Sequence, residues 1–147
     1  MSRADKAEEI FRKGYNCSQA VFAAFADVVG MDEETALKIA SPFGAGIGKL
    51  REVCGAVSGM TMVAGMMQGY NDPKDFDQKA EVYRIVHAMA EEFRQRQDGI
   101  LCRELLGLKP GEDAQEPQVR TEEYYHVRPC LRAVRDAADI AEKYLLK

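Results

Sequence analysis

The feature that most constrains this chain is the stretch 53–71, 19 residues without a charge between Glu52 and Asp72. That length approaches what a helix needs to cross a bilayer. It also carries Gly55, Gly59, Gly65 and Gly69 with Ser58, Thr61, Gln68 and Asn71, which suits a buried central helix better than a lipid-facing one. The rest of the chain must then wrap around it. Its opening, Arg51-Glu-Val-Cys-Gly-Ala-Val-Ser-Gly-Met60, sets a cysteine against two glycines. Glycine costs roughly 1 kcal/mol relative to alanine inside a helix. Either another helix packs closely here, or something other than protein sits beside the thiol.

The surrounding sequence reads as helical nearly throughout. Residues 3–13 form a charged amphipathic segment with Ala7, Ile10 and Phe11 inward, ended by Gly14. Asn16 is a candidate N-cap for a helix over 17–29 with Ala20, Val21, Ala24 and Phe25 buried. Gly30 ends it, and a short helix over 32–40 stops before Pro42. A glycine-rich connector, Phe43 to Leu50, leads into the helix that holds Cys54.

Asn71-Asp72-Pro73 is expected to cap the longest helix, 73–97, with Val82, Val86, Met89 and Phe93 on its apolar side. Asp98-Gly99 precedes a short helix over 101–106. Residues 109–118 read as a solvated loop, and a last helix runs over 129–145 from Pro129, a favoured first-turn residue. No strand pattern and no internal repeat is present. The expectation is an all-α, single compact domain of about six helices, bundle-like or orthogonal, over 1–147.

At 147 residues the chain can bury a core without staples. A net charge of -4 disfavours nucleic acid as a partner. The first residues lack the apolar region of a secretory signal, so a cytoplasmic location is expected. In a reducing compartment, Cys17, Cys54, Cys102 and Cys130 point to metal binding or redox work more than to structural disulfides. Each is alternatively a small buried hydrophobe.

Placed on these elements, all four cysteines fall in first turns of helices. A helix N-terminus carries partial positive charge and free N–H groups, which stabilise a thiolate and lower its pKa. The cysteines are 37, 48 and 28 residues apart with no CxxC pair, so the fold itself must assemble any joint site.

The chain resembles a family at these positions. "GYNCSQAV", "FGAGIG" leading into "CGAVSG", "LCRELLG" and "RPCLRAVRDAA" look like the C_GCAxxG_C_C family, and the resemblance covers nearly the whole chain. The family is regarded as redox-active from its four cysteines and is discussed with iron–sulfur and split-Soret haem-protein relatives. The resemblance implicates Cys17, Cys54, Cys102 and Cys130, with Gly55, Ala56 and Gly59 as motif partners. The connector departs from the family's glycine richness at Ala45, Leu50 and Arg51.

Three readings follow. In the first, four thiolates hold an iron–sulfur cluster or another thiophilic metal such as zinc for electron transfer, and Gly55 lets the backbone approach it. In the second, the same cysteines cycle between dithiol and disulfide. The third is a non-enzymatic helical binding or oligomerisation module that holds no cofactor. Gly44-x-Gly46-x-Gly48 is not a phosphate loop and reads as a flexible connector. The N–H groups of Gly46 and Gly48 are placed to line the cysteine site as an anion nest.

His126 and Cys130 form a candidate ligand pair, but a structural or solvent-facing histidine is the simpler account. His87 is expected on the core side of its helix. Tyr124 and Tyr125 are candidates to pack over the site, and the methionines from Met60 to Met67 read as core packing. Small-residue spacing at Gly55/Gly59 and Gly65/Gly69 suits close helix contact, within the domain or across a homodimer. A protein redox partner is implied, and membrane insertion is not.

Overall fold

The computed structural model describes residues 1–108 and 129–146. Among these, the chain is all-α. Helices α1 (Arg3–Arg12), α2 (Cys17–Ala23), α3 (Ala26–Val29) and α4 (Glu33–Ala40) precede a 3-10 turn, Ser41–Phe43. After the connector come α5 (Gly55–Gln68), α6 (Phe76–Gln97), α7 (Cys102–Leu106) and α8 (Cys130–Leu145). No described helix is long and apolar enough to cross a membrane.

The uncharged stretch becomes α5, at the centre. Its Val57, Met60, Val63 and Ala64 are buried while Gly65 and Met66 face out. α2 and α8 pack against α5, α6 flanks it, and α1 lies on α8. Phe11, Phe22, Phe25, Phe93 and Ile140 fill the space between them.

Several boundaries differ from the sequence expectation. The helix expected over 17–29 breaks at Phe25, whose N–H bonds Phe22 O at 3.0 Å in a tightened turn. The break lets Phe25 turn fully inward. α6 starts at Phe76, because the Asp75 carboxylate, not 71–73, accepts from Gln78 N–H at 3.1 Å. Its buried line is Val82, Ile85, Met89 and Phe93. His87 lies roughly 140° round the helix from Val82 at 3.6 residues per turn, and is exposed rather than core-facing.

The expected flexible connector is a wound segment. Ala45, Gly46, Ile47, Gly48 and Lys49 all have φ between 56° and 70°, and Arg51 has φ 60°. Five consecutive residues thus trace a left-handed turn, held by Arg51 N–H to Ala45 O and Glu52 N–H to Gly46 O at 3.3 and 2.9 Å. Left-handed backbone costs roughly 1–2 kcal/mol for each residue that carries a Cβ. Two of the three positions where glycine was expected, Ala45 and Arg51, are left-handed.

Candidate functional site: four helix starts around one cavity

Each cysteine begins a helix. Cys17, Cys102 and Cys130 are the first residues of α2, α7 and α8, and Cys54 is the N-cap of α5. The local chemistry explains three of these positions. Asn16 caps α2 by accepting from Gln19 N–H at 3.0 Å, and Gln19 Oε1 accepts from Asn16 N–H at 3.0 Å in return. Asn16 Nδ2 also donates to Ser41 O at 2.9 Å, which ties the start of α2 to the 3-10 turn that leads into the connector.

The starts of α5 and α7 are fixed against each other. Val53 and Leu101 form an isolated antiparallel bridge, which the sequence pattern did not suggest. Cys54 N–H donates to Ile100 O at 2.7 Å and Cys102 N–H to Glu52 O at 2.6 Å. This register puts Cys54 and Cys102 diagonally across the bridge, a relation that in a regular ladder separates residues by about 7 to 8 Å.

Among the described residues, all four cysteines line one cavity of about 440 Å³. Cys17, Cys54 and Cys102 are buried and Cys130 is half-buried, and none is in a disulfide. The Cys17 and Cys130 thiols are near enough to influence each other's ionisation. Arg51 also lines the cavity, is 8% exposed, and donates from Nη1 to Cys102 Sγ at 3.4 Å.

Gly48 and Gly55 reach the cavity, whereas Gly46, Ala56 and Gly59 do not line it. A Cβ on Gly46 would strike the backbone of Arg51 and Glu52 at 2.6 Å, so this glycine allows the left-handed turn to close. A Cβ on Gly55 would lie 3.1 Å from Ser18 N and 3.2 Å from Cys17 Cβ. One turn deeper, a Cβ on Gly59 would lie 2.9 Å from Val21 Cβ. Both glycines seat α5 on α2, and only Gly55 does so against a cysteine.

Helix starts lower a thiol pKa, but here burial wins. Burial pushes the Cys54 thiol up to about 12, although the N–H groups of Ala56 and Val57 face its sulfur and act the other way. Cys17 stands well above its ordinary value because of the neighbouring Cys130 thiol and then burial, with the other cysteines adding repulsion. The expected low-pKa thiolates are therefore absent at these two positions. A cation brought to the site would have to displace their protons.

Among the described residues, no three His, Cys, Asp or Glu side chains converge closely enough to hold a single metal ion. His126, Tyr124, Tyr125 and the expected loop over 109–118 lie outside the described residues. Arg51 is the site residue that sequence reasoning missed. The available signal was a charged residue at the mouth of an uncharged stretch.

The family comparison agrees with this constellation. The family described as "Putative redox-active protein (C_GCAxxG_C_C)" matches residues 15–144. The chain belongs to this family. Its match takes in all four cysteines of the cavity and the Cys-Gly-Ala-x-x-Gly start of α5. Neither a curated protein nor a solved structure matches the chain.

Proposed function

We propose that this family member is an electron-transfer protein in which Cys17, Cys54, Cys102 and Cys130 hold an iron–sulfur cluster. The supporting observation is that four helix starts from distant parts of the sequence bring their cysteines to one cavity. Each iron of a four-iron cluster takes one thiolate, so the sulfurs stand around it instead of converging on one point. The open register of Cys54 and Cys102 suits that arrangement, and a single zinc ion suits it less.

When bound, such a cluster supplies one-electron redox chemistry at low potential. The chain's own part is to exclude water with Leu105 and Ala133, to direct helix N-termini at the thiolates, and to hold Cys54 and Cys102 by the backbone bridge. A protein redox partner receives or supplies the electron. Gly55/Gly59 is used inside the domain, which leaves the exposed Gly65/Gly69 pair for the homodimer in this reading.

A second reading is favoured by the proximity of Cys17 and Cys130, which is what a dithiol poised to form a disulfide requires. Purification without oxygen separates the two. Brown protein with visible absorbance and stoichiometric iron and sulfide is the expected result. Colourless protein without metal, in which an oxidant links two of the cysteines, supports the disulfide cycle and overturns the cluster.

A further inference from the structure

Arg51 combines three features that ordinary surface arginines lack. Its backbone is left-handed at φ 60°, its side chain is almost fully buried, and its guanidinium meets a sulfur of the four-cysteine cavity. Left-handed backbone without glycine and a buried charge are each unfavourable unless the surroundings compensate. Strain of this kind concentrates at functional sites.

The backbone of residue 51 is itself held on both sides. Arg51 N–H bonds Ala45 O at 3.3 Å, and Arg51 O accepts from Arg103 N–H at 3.3 Å. Residue 51 is thus tied to both the left-handed turn and the first turn of α7, the helix that Cys102 begins. The side chain therefore starts from a fixed point beside the helix that carries its sulfur partner.

We propose that Arg51 is a positioning residue that, acting through Cys102, raises the reduction potential of the four-cysteine site. The inference rests on the redox reading above but not on the cluster in particular. Reduction of a cluster adds one electron to a group already made negative by four thiolates. A fixed positive charge and an N–H···S bond favour that reduced form. For a dithiol the sign is the same. Two thiols plus oxidised glutathione give a disulfide and two reduced glutathiones, and only the thiol form can place negative charge beside Arg51.

The test compares wild type with Arg51→Gln, Arg51→Lys and Arg51→Gly in the full chain. Each is reconstituted anaerobically with ferrous iron and sulfide, and the midpoint is read from visible absorbance. Loss of the charge in Arg51→Gln and Arg51→Gly is expected to shift the reduction equilibrium about tenfold toward the oxidised form, about 59 mV for one electron. Arg51→Lys, which keeps the charge, is expected to stay close to the wild-type midpoint. Arg51→Gly keeps the backbone free of strain, so a shift shared with Arg51→Gln reports charge and not misfolding.

If no cluster forms, the cluster reading fails, and the same variants are equilibrated metal-free in glutathione buffers with the oxidised fraction read by mass. The expected shift is again about tenfold in the same direction, about 30 mV for two electrons. Midpoints unchanged in Arg51→Gln and Arg51→Gly overturn the proposal. So does a full shift in Arg51→Lys, and so does a protein with no redox couple in either arm.

Discussion

The Cys17 and Cys130 thiols are neighbours in one cavity, although they begin helices near opposite ends of the chain. Cys54 and Cys102 are diagonal across the Val53–Leu101 bridge. The cavity therefore holds one adjacent pair and one diagonal pair.

This asymmetry predicts an order of oxidation. In metal-free protein treated with oxidised glutathione, Cys17–Cys130 should be the first disulfide, with Cys54 and Cys102 still free. Peptide mapping after alkylation reads this directly. A dominant Cys54–Cys102 bond would contradict the register.

Protonated buried thiols give the reduced, metal-free protein a pH dependence of definite sign. Cys54 is raised from 9.0 to about 12, and Cys17 is raised as well. Above pH 9 the unfolded chain sheds protons that the native state keeps. Stability is thus fully present below that point and falls as pH rises toward about 12, by about 1.4 kcal/mol per pH unit for each such thiol. Urea midpoints measured at about pH 8 and about pH 10.5 should fall less steeply in Cys54→Ala than in wild type. Equal slopes would show that Cys54 ionises normally.

Gly55 and Gly59 should separate by readout. In Gly59→Val, the side chain runs into Val21 and the contact of α5 with α2 is overpacked. A loss of about 1–3 kcal/mol is expected by chemical denaturation, with the cysteines reacting as in wild type. In Gly55→Val the new side chain presses on Cys17, so iron uptake and Cys17 alkylation should change as well. Two variants with unchanged stability and unchanged thiol chemistry would refute this division.

Asn16 joins the cap of α2 to the 3-10 turn at Ser41, so Asn16→Ala should cost more than a surface cap. The loss is expected at about 1–2 kcal/mol in urea unfolding, together with faster alkylation of Cys17. A loss of stability with no change at Cys17 would mean the cap does not hold the cysteine.

Much of this site was legible in the sequence because helix starts have local chemistry. Asn16 before Cys17, Gly99 before Cys102 and Pro129 before Cys130 mark the starts in one dimension. The buried face of α5 was legible too, from its lack of charge. What stayed hidden depends on contacts between distant segments. No local pattern announces the Val53–Leu101 bridge, or a left-handed turn that runs through Ala45, Ile47 and Lys49. The outward position of His87 was missed because Ile85 and not Val86 joins the buried line, which turns the apolar face of α6. Thiol acidity was misjudged for a related reason. The helix start is local and visible, whereas the burial that outweighs it belongs to the assembled core.

The central claim is that four cysteines hold one iron–sulfur cluster, and it is tested most directly by iron and sulfide analysis of anaerobically prepared protein. Wild type is compared with Cys17→Ser, Cys54→Ser, Cys102→Ser and Cys130→Ser. Wild type should hold a stoichiometric cluster, and every single variant should lose most of its iron and its visible absorbance. Wild-type protein without iron, or a variant that keeps the full wild-type content, would contradict it.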